Sequence, residues 1–99
     1  MTYRLLAVAE SELSDAASWY EAQAAGLGGE FLDEFEQVIS RVQKFPDAWA
    51  RVGKRHRRCL FRRFPFAVLY SYTETEIFVA GVIDLRRDPD IQLKREKTA

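Results

Sequence analysis

The run Arg57-Arg58-Cys59-Leu60-Phe61-Arg62-Arg63 concentrates the side chains best equipped for chemistry in this chain. Guanidinium groups bind phosphate or carboxylate through planar, bidentate hydrogen bonds, and they stabilise negative charge that develops on either. Residues 51–63 carry seven Lys or Arg side chains plus His56 and no acid, and Arg86-Arg87 adds a second basic pair near the other end. Arg58, Arg62 and Arg87 are therefore the candidates for stabilising charge on a bound or reacting group. Proton transfer is less well provided for. Arginine stays protonated and is a poor general base. His56 is the single imidazole, and it is expected in a surface loop ahead of a strand. Cys59 lies three residues from His56, a spacing that puts the two on opposite faces of a strand and disfavours a Cys–His dyad. One Cys and one His fall short of a tetrahedral metal site. Gly26-Leu27-Gly28-Gly29 lies between two helical patterns instead of following a strand, so it reads as a turn and not as a phosphate loop. No metal or cofactor is expected.

These groups need a scaffold, and 99 residues suffice for one domain. A hydrophobic fraction of 47% with 13% aromatics fits a small packed core and not a disordered chain. No apolar run is long enough to span a bilayer, no secretory signal is recognisable, and a single cysteine forms no internal disulfide, so a cytoplasmic protein is expected. The net charge of zero hides an asymmetry. Residues 1–47 hold nine acidic and three basic side chains, whereas residues 48–99 hold twelve basic and six acidic ones. Such a division suggests an acidic or polyanionic partner for the basic half.

Periodicity supplies the elements. Residues 3–8 read as a first strand. Ser11 is the expected N-cap of a helix whose stripe is Leu13, Ala16, Ala17, Tyr20 and Ala24, ended by Gly26 and Gly28. Phe31, Phe35, Val38, Val42 and Phe45 recur at alternating four and three, widened by Leu32 and Ile39, and Pro46 stops this second helix. After Asp47 the period becomes two. Arg58, Leu60 and Arg62 share one strand face, with Cys59 and Phe61 on the other. In the next strand Phe66, Val68, Tyr70 and Tyr72 face one way and Ala67, Leu69 and Ser71 the other. Thr73-Glu74-Thr75-Glu76 is a hairpin turn, and residues 77–83 form a central strand buried on both faces. Residues 85–99 read as a charged tail. The expected fold is α+β, in the order β-α-α-β-β-β, with a helical hairpin packed on one face of a small, mostly antiparallel sheet.

Several segments in this order resemble the RelE/ParE family of bacterial type II toxin–antitoxin toxins. They are Ala17-Ser18-Trp19-Tyr20-Glu21, Gly26-Leu27-Gly28-Gly29-Glu30-Phe31-Leu32, Phe45-Pro46, Arg62-Arg63-Phe64-Pro65-Phe66-Ala67-Val68-Leu69-Tyr70 and Val82-Ile83-Asp84-Leu85-Arg86-Arg87-Asp88-Pro89. The resemblance covers nearly the whole chain. It implies a cognate antitoxin as partner, with operator DNA contacted only through that antitoxin, and no membrane role.

The implied target divides by branch. Nuclease-type members are ribosome-dependent and cleave mRNA; they place an arginine where this chain has Ala67, and a tyrosine or histidine near the C-terminus, where this chain has only Asp88, Asp90, Gln92 and Leu93 after Arg87. Members similar to ParE are described as inhibiting DNA gyrase without nuclease chemistry. The departures favour the ParE-like branch, with Arg58, Arg62, Arg86 and Arg87 as target-binding residues. Leu60 and Leu69, together with Arg58 and Arg62, suit an antitoxin segment mixing aliphatic and acidic residues. The alternatives are a metal-independent endoribonuclease and a non-toxic member that retains only antitoxin binding.

Overall fold

A five-stranded sheet with two helices on one face is built by residues 1–87, the part of the chain that the computed structural model describes. The elements run β1 (Thr2–Leu5), α1 (Ala7–Gln23), α2 (Leu27–Lys44), β2 (Ala50–Val52), β3 (His56–Leu60), β4 (Phe66–Tyr72) and β5 (Glu76–Asp84). The sheet order is β1-β5-β4-β3-β2. β1 runs parallel to β5, and every other pairing is antiparallel. The expected α+β architecture with a helical hairpin on one sheet face is the observed one.

The apolar stripe of α2 explains why the helices dock as they do. Phe31, Phe35, Val38, Ile39 and Val42 are all buried. They join Ala9, Ala17 and Tyr20 of α1 and the inward faces of β3, β4 and β5 in one core. Phe31 stacks on Phe61 and Tyr20 at 4.9 and 5.3 Å between ring centroids and meets Phe64 and Phe66 edge-on at 5.0 Å each. Such pairs add to the burial term when rings are offset or perpendicular. A second, smaller cluster of Leu69, Ala80 and Ile83, with Val52 against it, lies outside this core.

β5 is central and buried, as its apolar run predicts, but its facing is not a simple alternation. Leu69 pairs with Gly81 and Tyr70 with Val79, so one extra residue, Ala80, enters on β5. A bulge of this kind resets the inside-outside phase. Ile77, Val79 and Val82 consequently all reach the main core, while Ala80 and Ile83 join the second cluster.

Five local expectations are corrected. The apolar run 3–8 does not remain a strand: Leu6 N–H donates to the Val79 carbonyl at 3.0 Å, and its own carbonyl accepts from Glu10 N–H at 3.0 Å to start α1. Short apolar runs are ambiguous between strand and helix, and alanines at positions 7 and 9 favour the helix. Leu6, not Ser11, is therefore the N-cap, and no side chain caps it.

The glycines do not end α1, which stops at Gln23; Gly26 is the N-cap of α2 and Gly28 lies within its first turn. Gly26 has φ of 88°, which an L side chain rarely adopts. A Cβ on Gly28 would stand 2.6 Å from the Ala17 carbonyl oxygen, so the close crossing of the two helices requires glycine there. Glu21 of α1 accepts from the N–H groups of Gly26 and Gly28 at 2.9 and 3.0 Å, so the first helix caps the second.

β2 is an additional strand. Its three residues are too few to display a period, and it exists through its pairing with β3. His56, finally, is not in a surface loop: it opens β3, opposite Val52, and is 5% exposed.

Among the described residues no helix is long and apolar enough to cross a membrane. The expected charged tail from Asp88 onward, with Pro89, Asp90, Gln92 and Leu93, lies outside the described residues.

Candidate functional site

The sheet face away from the helices carries the first group of candidates. Arg58 pairs with Leu69 and Leu60 with Ala67, so these four share that face. Leu60 is 49% exposed, whereas Leu69 is fully buried in the second cluster. The two leucines are thus not equivalent: Leu60 stands free for a partner, and Leu69 supports the sheet beneath it. Arg58 is half-buried, and no carboxylate among the described residues pairs with it.

Arg62 does not continue this face. β3 ends at Leu60, and residues 61–65 form a loop before β4. The loop is tied to α2 by Glu34, a buried carboxylate that accepts from Arg62 N–H at 2.5 Å and from Arg63 N–H at 3.0 Å. Arg41 assists by donating to the Leu60 carbonyl at 2.9 Å. Arg63 pairs with Glu30 at 2.7 Å, which leaves Arg62 as the exposed cation of this loop without a carboxylate partner among the described residues. Glu34→Ala would strand two backbone donors and is expected to cost roughly 1–3 kcal/mol. Urea titration checks this, and a loss below about 0.5 kcal/mol would show that water takes over the carboxylate's role.

Arg86 and Arg87 follow β5 at the same end of the sheet, where Leu85 N–H donates to the Pro65 carbonyl at 2.9 Å. The loop with Arg62 and the turn with Arg86 and Arg87 are therefore brought together by backbone pairing, while Arg58 sits further up the sheet face. The two arginines of the turn differ in freedom. Arg86 makes a two-pronged contact with Asp84 at 3.0 and 2.9 Å and lies over the rings of Trp19 and Phe66 at 5.8 and 6.0 Å. Arg87 reaches Asp84 only at 4.0 Å and its side chain is 76% exposed.

Hydrogen bonds from Arg86 hold the Asp84 carboxyl below the usual carboxylate range, against an opposing effect of burial. A carboxyl whose pKa is lowered by folding contributes stability at neutral pH that is lost as pH falls through the folded-state value. Asp84→Asn is therefore expected to melt below the unmodified chain by a constant margin above about pH 5, a margin that closes below the ordinary carboxylate value of about 3.9. Melting curves from pH 7 to pH 2 check this; a margin that persists at the acid end would assign it to shape and not to charge.

The residue that sequence reasoning missed at this end is Trp19. It lies off the apolar stripe of α1 and is 51% exposed. With Glu12, Asp15, Tyr20, Phe66 and Asp84 it lines a groove of about 410 Å³ that also receives Arg86 and Arg87. β1 pairs with β5 only as far as Val79. Beyond it the Val82 N–H is satisfied by the Glu12 carboxylate at 3.0 Å. The available signal was a large exposed aromatic within a helix that already had a complete buried face.

Cys59, weighed above as a nucleophile, and Tyr70, which the sequence did not single out, both lie in the core. Cys59 is buried, and burial pushes its thiol pKa up, opposing thiolate formation. Tyr70 is held in the core with its hydroxyl donating to the Pro46 carbonyl at 2.6 Å, and burial pushes its pKa up as well. Among the described residues no cluster of His, Cys, Asp and Glu is placed to hold a metal ion. Chemically, the arrangement offers exposed cations beside an exposed leucine on one face, and an aromatic groove with mixed charge at the end of the sheet. Both suit binding.

No protein-family model matches the chain, and no curated protein matches it. Among solved structures, a chain of the chromosomal ParDE TA system from P. aeruginosa superposes with a TM-score of 0.61. The match covers 86% of this chain and 96% of that one at 13% identity. At that identity the likeness is one of fold.

Proposed function

We propose that this protein is the toxin of a bacterial type II toxin–antitoxin system, of the ParE-like kind. It arrests growth by binding its target, DNA gyrase, and is neutralised by a cognate antitoxin. The observation that carries this reading is the pairing of fold and surface. A fold shared with a chain of a ParDE TA system presents Leu60 exposed beside Arg58, which no described carboxylate neutralises. An antitoxin segment with aliphatic and acidic side chains would cover Leu60 and pair with Arg58 and Arg62. Arg87, exposed at the end of β5, is the target-binding cation.

Binding is favoured over RNA cleavage by what surrounds the cations. Attack by a ribose hydroxyl needs a base for that hydroxyl and an acid for the leaving oxygen. Ala67, opposite Leu60, is fully buried, so the position where nuclease-type members carry an arginine contributes no functional group here. Arg58 and Arg62 retain the capacity to hold phosphate, which keeps a ribosome-dependent endoribonuclease as the second reading.

The test is induction of the chain in a bacterial host, with and without any short reading frame found adjacent to its gene, together with a supercoiling assay on purified gyrase. Growth arrest relieved by the neighbouring product, and inhibition of supercoiling, are expected. Arrest with cleaved transcripts and unaffected gyrase would transfer the assignment to the nuclease reading. Unimpaired growth would identify a non-toxic member.

A further inference from the structure

The β2–β3 hairpin builds a second cationic feature, separate from the groups assigned above. Its register sets Arg51 opposite Arg57, and Arg57 in turn opposite Tyr70 on β4. Directly paired residues project from the same sheet face, so Arg51, Arg57 and Tyr70 form one row across three strands. With Lys54 from the turn and Tyr72 beyond Tyr70, they line a cavity of about 160 Å³ that has no acidic residue in its wall among the described residues.

Two like charges directly opposite on neighbouring strands destabilise a sheet. Among the described residues no acid is paired with these two arginines. Arg51 Nη2 donates to the Lys54 carbonyl at 3.1 Å and Arg57 Nη1 to the Trp49 carbonyl at 2.8 Å. No carboxylate among the described residues pairs with Arg51, Lys54 or Arg57; Asp47 acts on Tyr70 electrostatically but does not line the cavity. A carbonyl orients a guanidinium without cancelling its charge, and each guanidinium has five N–H donors in all. Lys54 contributes an ammonium with three more. Cationic donors, two of them oriented by backbone carbonyls, around a space that no described acid lines are suited to a tetrahedral oxyanion. The volume, about five times a water's share of the liquid at roughly 30 Å³, admits one such group with a few waters.

We propose that this cavity binds a phosphate group, either as a free phosphate compound or as one phosphate of a nucleic-acid backbone. The bound anion offsets the Arg51–Arg57 repulsion, so the site couples anion binding to stability of the hairpin. The site is independent of the toxin reading, because its residues on β2, β3 and β4 are not among those assigned to antitoxin or target.

Isothermal titration of the full chain with pyrophosphate, at constant ionic strength, tests it. Saturable binding is expected, weakened at least about tenfold by Arg51→Gln or Arg57→Gln, since each removes a charge-assisted fork. Arg4→Gln, which removes an exposed positive charge on β1 at the opposite edge of the sheet, should leave affinity within about twofold, as expected for a screened distant charge. In phosphate-free buffer at low salt, Arg51→Gln should melt no lower than the unmodified chain, which separates loss of binding from loss of fold. A short oligothymidylate distinguishes the sources: competition with pyrophosphate assigns the site to a nucleic-acid backbone, and its absence assigns it to a free phosphate compound. Absence of saturable binding, or equal weakening by Arg4→Gln, would overturn the proposal.

Discussion

Replacing Phe31 with alanine is expected to remove about 3–5 kcal/mol of folding stability, the usual cost of truncating a buried phenylalanine. Phe31 is fully buried, and its ring contacts those of Tyr20, Phe61, Phe64 and Phe66, which come from α1, the loop before β4 and β4 itself. The cavity would therefore open where helix hairpin, loop and sheet meet, and all of those parts would have to shift to close it. Small domains have only about 5–15 kcal/mol of stability in total, so the variant should sit near its unfolding transition under mild conditions. Urea titration measures the loss directly. A change below about 1 kcal/mol would mean that the aromatic cluster collapses around the gap, and that the hairpin is held mainly by Phe35 and Val38.

The second large effect is on function. Arg87→Ala is expected to weaken target binding by about ten- to a hundredfold, the value of one or two charge-assisted hydrogen bonds, and to lower growth arrest accordingly. Its stability should change by less than about 0.5 kcal/mol, as for other exposed positions. Arg86→Ala should behave in the opposite sense. Arg86 is committed to Asp84 and to the rings of Trp19 and Phe66, so its loss should lower the melting temperature before it touches activity. Arg87→Lys should restore part of the effect, because lysine supplies the charge without the planar fork. Toxicity and melting temperature measured on the same three variants decide the matter. Full growth arrest by a stable Arg87→Ala chain would remove Arg87 from the target surface.

Sequence alone was enough for elements whose period matched their surroundings. The stripe of Phe31, Phe35, Val38 and Val42 is a property of spacing, and one buried face is all that α2 requires. The same holds for the apolar run of β5 and for the turn at residues 73–76, where Thr73 N–H bonds the Glu76 carbonyl at 2.9 Å. The cationic run at residues 51–63 was visible as well, because charge needs no fold to be counted.

Position within the fold was another matter. Leu60 and Leu69 look alike on an alternating pattern, yet one is exposed and the other buried, because their surroundings come from elements far apart in the chain. Arg62 leaves the strand face because Glu34, on α2, draws the backbone of residues 62 and 63 into a loop. Arg86 and Arg87 are adjacent and identical in type, and only the placement of Asp84, Trp19 and Phe66 commits one and frees the other. Periodicity reports which side of an element is apolar. Which partner meets that side, and which charge is already neutralised, depends on contacts between residues dozens of positions apart, and those exist only once the helices have docked on the sheet.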